Sequence, residues 1–402
     1  MSAPPIVPGA RRALLLVLDG VGCGPAPDSD AYGDAGSDTL GNVARQMGGL
    51  VLPNLARLGL GNLAALPGVP PTPAPAAAWG VALPQSAGKD STTGHWELAG
   101  VHLATPFPTY PSGFPPEVLD PFVAATGRGV LANRAASGTA VIAEFAERQR
   151  VTGDWIVYTS ADSVFQVAAH EGWIPLAELY RACELARGLL VTPHQVSRVI
   201  ARPFVGDAGA WQRTANRRDY AVPAPATTLL DALAEAGVPR HGVGKVDDLF
   251  AGRNLAAVHT RDNADGGARL LAWLAEAERG FCFANLVDFD TLHGHRNDVT
   301  GFARALEAFD ASVPALLAAL REDDLLIITA DHGNDPTTAS TDHARERVPV
   351  LVAGRTVRPA PLGVRATFAD VGASIAEWFG LRWRGGGSSF LDRCGLAEGD
   401  RA

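Results

Sequence analysis

Leu325-Leu326-Ile327-Ile328-Thr329-Ala330-Asp331-His332-Gly333-Asn334-Asp335 is the stretch whose reading decides the fold. An apolar run of β-strand type, fenced on its amino side by Glu322-Asp323-Asp324, ends abruptly in an acid, an imidazole and a glycine. A buried strand delivers its last residues to the carboxyl edge of a sheet, where open α/β proteins place their ligands. Asp331 and His332 side by side there, followed by a turn, are suited to hold a cation. A solvated strand end with a satisfied histidine is the plainer alternative, so the rest of the chain has to decide.

The same grammar occurs twice more. Phe281-Cys282-Phe283-Ala284-Asn285-Leu286-Val287 runs into Asp288-Phe289-Asp290, with His293-Gly294-His295 just beyond. Asp290 and His295 are the expected ligands there, and His293 a neighbour. Ala13-Leu14-Leu15-Leu16-Val17-Leu18 ends at Asp19-Gly20-Val21-Gly22-Cys23-Gly24. Those glycines invite a dinucleotide reading, but their spacing is not G-x-G-x-x-G. Pro25, Pro27, Asp28 and Asp30 also stand where the anion-binding helix would have to start. Asp19 therefore reads as a metal carboxylate, and a nicotinamide oxidoreductase is the weakest functional class.

Thr341-Asp342-His343 follows the opening stretch within a short loop. Together the segments offer Asp19, Asp290, Asp331, His295, His332 and His343, too many donors for one tetrahedral ion and suited to two. Two cations can activate a hydroxyl and neutralise the attacking and leaving oxygens of an in-line phosphoryl transfer. The mixture of oxygen and imidazole favours Mn2+ or Zn2+ over Ca2+, with Mg2+ also possible.

Composition narrows the partners. The chain has 402 residues, 47% hydrophobic and 19% charged, which describes an ordinary globular protein with room for two or three domains. Its formal net charge of -9 argues against general binding to nucleic acid or an anionic membrane. Cys23, Cys183, Cys282 and Cys394 lie far apart without a Cys-x-x-Cys pair, which fits a reducing cytoplasm. Arg11-Arg12 precedes an apolar run too short for a signal peptide, and no stretch is long enough to span a bilayer.

Of 34 basic residues only Lys89 and Lys245 are lysine, which marks both as places where a compact ammonium is wanted. Lys89 sits in Ser86-Ala87-Gly88-Lys89-Asp90-Ser91-Thr92-Thr93-Gly94-His95-Trp96-Glu97. This is not a P-loop, since Leu83 replaces the earlier glycine and Asp90 intrudes before the hydroxyl. Hydroxyls beside a cation suit a covalent phosphoryl acceptor, and equally a hydroxyl-rich helix N-cap. Lys245 follows Gly244 at an expected strand end.

The texture changes between residues 105 and 221, where short strand signals such as Trp155-Ile156-Val157-Tyr158-Thr159 mix with the basic stretch Arg198-Val199-Ile200-Ala201-Arg202-Pro203-Phe204. Pro203 and Phe204 place these arginines on a strand or loop, not a helix. The expected organisation is a Pro-rich disordered tail at 1–10, a core from 11–104 and 222–402, and an inserted α+β cap at 105–221.

Dispersed blocks then converge on one family. Leu18-Asp19-Gly20-Val21-Gly22, Gly36-Ser37-Asp38-Thr39-Leu40-Gly41, Gly88-Lys89-Asp90 with Thr93-Gly94-His95-Trp96-Glu97, Tyr158-Thr159-Ser160-Ala161-Asp162-Ser163, Asp288-Phe289-Asp290 and residues 329–336 resemble the alkaline phosphatase superfamily, and within it the phosphopentomutases. The resemblance implies a three-layer α/β/α core of alkaline-phosphatase type. It implies one ion on Asp19, Asp331 and His332, and the other on Asp290, His295 and His343. It sets Ser160, Asp162, Arg198, Arg213 and Lys245 near a sugar phosphate. The implied reaction exchanges ribose or 2-deoxyribose 1-phosphate with the 5-phosphate through a phosphoenzyme primed by a sugar bisphosphate such as glucose 1,6-bisphosphate. The family's usual phosphorylated threonine is matched here by Ser91, with Thr92 and Thr93 as fallbacks and Lys89 as cationic clamp. Another two-metal phosphomutase or phosphatase, or a metal-stabilised binding protein without turnover, are the alternatives.

Overall fold

The computed structural model describes residues 11–160 and 162–396, so the tail expected at 1–10 lies outside the described residues. The chain divides into two compact units, one of residues 1–105 with 224–402 and one of residues 106–223.

The first unit is built on an eight-stranded mixed sheet. Its order is Ala257–Val258, Arg240–Val243, Gly280–Leu286, Arg12–Leu18, Asp324–Thr329, Val348–Ala353, Ala78–Ala82 and Pro361–Arg365. The first five strands run parallel, so their carboxyl ends share one edge. Val348–Ala353 is antiparallel to both its neighbours. The three central strands are buried at every position, which is why they read as unbroken apolar runs rather than alternating ones.

Both faces of the sheet are covered. Thr39–Gln46, Pro53–Leu58 and Asn263–Glu276 pack around the long helix Val299–Ala318, while Ser91–Leu98 and Leu229–Glu235 pack on Ala369–Trp378. Strand alternation sorts side chains between these layers: Phe283 meets Phe250 at 5.9 Å on one face, and Leu286 lies against Gly266 of Asn263–Glu276 on the other. The result is a three-layer α/β/α fold.

Register between two central strands is pinned at their amino ends. Arg12 pairs with Asp324 across the sheet, and the fully buried guanidinium donates from Nε to Asp324 Oδ1 at 2.8 Å and from a terminal nitrogen to the other carboxylate oxygen. Trp378 Nε1 donates to the Arg12 carbonyl at 3.1 Å, which locks the closing helix to the same point.

The second unit holds a six-stranded sheet. Val130–Ala135, Trp155–Thr159, Val164–His170, Arg198–Val205 and Gln212–Arg213 follow in that order, and Arg218–Ala221 pairs with Arg198–Val205. One face packs Phe165, Val167, Val199 and Ala201 against the helices Pro116–Thr126 and Leu176–Leu189. Pro203 lies inside Arg198–Val205, so the basic stretch is a strand. Among the described residues no helix is long and apolar enough to cross a membrane.

Candidate metal centre and arginine cleft

Three neighbouring parallel strands deliver three acids to one place. Asp19 follows Arg12–Leu18, Asp331 follows Asp324–Thr329, and Asp290 sits in a single π-helical turn, Phe289–His293, just beyond Gly280–Leu286. All three are buried. Gly20, with φ of 75°, turns the chain away at the first strand end, and a Cβ there would meet the Asn334 side chain at 3.0 Å.

The donors form two adjoining groups: Asp19, Asp331 and His332, and Asp290, His295 and His343, each with ligand atoms within 4.8 Å of one another. His332 Nε2 lies 3.3 Å from both Asp19 Oδ1 and Asp331 Oδ2. His295 Nε2 and His343 Nε2 lie 3.2 and 3.5 Å from the two oxygens of Asp290. The rings of His332 and His343 are 4.2 Å apart, so the two groups abut.

Surrounding groups orient these side chains. His332 Nδ1 faces the Gly333 carbonyl at 3.0 Å and His295 Nδ1 the Thr341 carbonyl at 2.7 Å, which leaves each Nε2 aimed at the carboxylates. Asn285 donates to Asp19 Oδ2 at 3.0 Å, Gly20 N to Asp331 Oδ1 at 3.2 Å, and Asn334 to Asp290 Oδ1 at 2.7 Å.

Charge is concentrated and partly unanswered. Burial works to raise the Asp19 carboxyl, but Lys245 at 3.5 Å and His332 outweigh it and hold it at about 2. Burial likewise works against the charged form of Asp290, and hydrogen bonds from His295 and His343 keep its carboxyl well below the usual range. His332 is depressed by burial but lifted more by Asp331 and Asp19, to about 10. Even so, Asp19 Oδ1 and Asp331 Oδ2 are buried without any hydrogen-bond partner. Buried carboxylate oxygens left this way are costly unless a cation answers them, so the residues fit a metal centre.

Ser91 lies against this centre, its Oγ 3.1 Å from His332 Nε2. The helix Ser91–Leu98 is capped by Asp90, not by a hydroxyl: Asp90 accepts from Thr93 N at 3.1 Å and from Thr93 Oγ1 at 2.6 Å. The cap engages Thr93 and leaves Ser91 at the first helical position. Gly94 lets the helix come this close, since a Cβ there would stand 2.1 Å from the Asp331 carbonyl oxygen. Lys89 is bonded to both oxygens of Asp34, at 2.9 and 3.1 Å.

The remaining residues are divided between the two units. Lys245 belongs to the first unit, beside Asp19. Ser160, Asp162, Arg198 and Arg213 line a cleft of about 200 Å³ in the second, together with Arg202, Arg217 and Tyr158. Period-two alternation explains Arg202, which the sequence sets on one strand or loop with Arg198 but not among the sugar-phosphate residues: Arg198, Ile200 and Arg202 point into the cleft while Val199 and Ala201 point into the core. Arg202 Nε donates to Gln166 Oε1 at 3.0 Å. Arg198 Nε and the Tyr158 hydroxyl are buried without a hydrogen-bond partner.

The Metalloenzyme superfamily pattern matches residues 11–382. Phosphopentomutases of Anaeromyxobacter sp. strain K and Symbiobacterium thermophilum are 56% and 53% identical to the chain, each covering 95% of it and 98% of the relative. The chain belongs to the phosphopentomutase family. Its reaction is thereby that of a phosphopentomutase, an isomerisation. Among solved structures, a Leishmania mexicana phosphoglycerate mutase is similar with a TM-score of 0.48 at 14% identity, covering 96% of this chain and 98% of that one. The alkaline phosphatase of Thermus thermophilus is similar with a TM-score of 0.39 at 12% identity, covering 98% and 96%.

Proposed function

We propose that the chain interconverts the 1- and 5-phosphates of ribose or 2-deoxyribose through a phosphoserine at Ser91. In the first half-reaction the phosphorylated Ser91 gives its phosphoryl group to the free hydroxyl of the sugar phosphate, making a sugar bisphosphate. In the second, that bisphosphate returns its other phosphoryl group to Ser91 Oγ and leaves as the isomer. A bisphosphate such as glucose 1,6-bisphosphate supplies the first phosphoryl group.

Asp19, Asp331 and His332 would hold one divalent ion and Asp290, His295 and His343 the other. Manganese suits this donor set, and bound ions would supply charge neutralisation for the transferring phosphoryl group. The chain's own groups do the rest. His332, 3.1 Å from Ser91 Oγ, fixes where the hydroxyl points, and Lys245 and Lys89 contribute positive charge. The arginines of the second unit's cleft bind the sugar phosphate's phosphate, with Ser160 and Asp162 available to its hydroxyls. A phosphoenzyme has to be shielded from water, and we assign that role to the inserted unit acting as a cap. Four buried free cysteines agree with a reducing, cytoplasmic setting.

The observation that carries this reading is Ser91 set against His332 while Thr93 is committed to Asp90. Incubation with glucose 1,6-bisphosphate and Mn2+, followed by mass-spectrometric location of phosphate, is expected to find it on Ser91. Phosphate on Thr92 or Thr93, or faster turnover of 3-phosphoglycerate than of ribose 5-phosphate, would overturn it.

A further inference from the structure

His95 takes no part in the chemistry above, yet it is fully buried between its key residues. Its Nδ1 lies 2.9 Å from the Ser91 carbonyl oxygen and 3.1 Å from Asp331 Oδ2. Both neighbours are acceptors, which assigns the ring proton to Nδ1. The opposite nitrogen, Nε2, is buried with no hydrogen-bond partner, a state in which acceptors are found more often than N–H donors. The ring stacks on Phe283 at 5.5 Å and 26°, and that phenylalanine belongs to the strand leading to Asp290.

We infer that His95 is a positioning residue that keeps Ser91 and Asp331 in register, its ring N–H bonded to the Ser91 carbonyl and the same ring edge set 3.1 Å from Asp331 Oδ2. The inference rests on Ser91 and Asp331 acting as proposed above. Ser91 and Asp331 are 240 residues apart in sequence and belong to a helix and a strand end that share no backbone hydrogen-bond ladder. The ring lies between them at the first turn of the helix, and Gly94 beside it removes the side chain that would force the two backbones apart. The nucleophile's own peptide is held by the ring N–H, and the positive edge of the same ring faces Asp331 Oδ2 and favours one orientation of that carboxylate. Ligand-orienting groups of this kind are worth about 10–100-fold in metal affinity or activity.

The test compares His95→Phe, which keeps a stacking ring without the donor, with His95→Asn, whose amide nitrogen can take the place of Nδ1. Mn2+ affinity is read by titration calorimetry, Ser91 phosphorylation by mass spectrometry, and folding by thermal unfolding of the metal-free protein. His95→Phe is expected to weaken Mn2+ binding and slow phosphorylation by about 10–100-fold, and His95→Asn to recover most of both. Equal impairment of the two variants, or wild-type behaviour of His95→Phe, overturns the inference. If His95→Phe does not fold, His95→Gln replaces it, because its amide nitrogen falls near Nε2 instead. Asn active with Gln impaired supports the role, and equality of the two defeats it. A wild type that binds Mn2+ but never phosphorylates Ser91 defeats the proposed function, and the Mn2+ measurements still decide the role of His95.

Discussion

Ser91 Oγ and His332 Nε2 are 3.1 Å apart although 241 residues of sequence separate them. The contact joins the helix start at Ser91, capped by Asp90 and preceded by Lys89, to the strand end that carries Asp331 and His332. A hydroxyl held there has one consequence that is simple to measure. Ser91→Ala should abolish phosphoenzyme formation and lower kcat by at least about 10³-fold. Ser91→Thr should remain phosphorylatable, losing no more than the roughly 10–100-fold that a surplus methyl in packed surroundings implies. Single-turnover labelling with a sugar bisphosphate distinguishes the two.

Removing one carboxylate should cost one ion. Asp290 is the shared anchor of His295 and His343, so Asp290→Asn is expected to reduce bound Mn2+ from two equivalents to one. Elemental analysis of the dialysed protein gives the count. For the wild type, Mn2+ at about 100 times its Kd stabilises the folded state by about 2.7 kcal/mol per site, and chelation should reverse this in a thermal melt.

Glu346 makes stability depend on pH. Burial pushes its carboxyl up to about 8, against the hydrogen bonds from Thr39 and Gly24 that pull it down. The folded state therefore keeps a proton that the unfolded state releases near 4.5. That contribution to stability is fully present below about 4.5 and is lost as pH rises through about 8. Glu346→Gln cannot titrate, so its melting temperature relative to wild type should climb across that window and level off above it. A constant difference at all pH values would reject the assignment.

The Arg12–Asp324 pair should behave as a buried ion pair. Asp324→Ala strands a fully buried guanidinium and is expected to destabilise the protein by about 3–5 kcal/mol in denaturant unfolding. Replacing both partners by leucine should recover most of the loss, because no charge is then left uncompensated.

In the second unit, Arg198→Ala should raise KM for ribose 5-phosphate by about 10–100-fold, the range of a charge-assisted hydrogen bond. Asp219 keeps its second partner, Arg217 at 2.6 Å, so the unit should melt near the wild-type temperature. An unchanged KM would remove the cleft from the substrate site.

Much of the core was legible in advance because its strands advertise themselves. Both faces of the central sheet are covered, so each strand is a continuous apolar run that stops where polar chemistry begins, and Asp19, Asp290 and Asp331 all stand within a few residues of such a stop. The edge strand Pro361–Arg365 gave no such signal, being largely exposed and interrupted by Gly363 at φ 72°. Helices Pro116–Thr126 and Gly138–Thr152 were equally unannounced, the first carrying Pro121 within it. Arg202 was visible as a residue but not as a cleft residue, since which face of a strand is open depends on what packs on the other.

The sequence by itself determined which side chains could do chemistry: acids and imidazoles at strand ends, a hydroxyl beside a scarce lysine, and arginines on a proline-marked strand. Only the tertiary structure decided which of them meet. Strand order is set by hydrogen bonds between segments hundreds of residues apart, and it puts Arg12–Leu18 between Gly280–Leu286 and Asp324–Thr329, so three acids share one edge. Packing of a glycine-thinned helix against that edge then brings Ser91 to His332, while the Asp90 cap occupies Thr93. Local spacing cannot encode either choice, because both depend on surfaces that exist only once the sheet has formed.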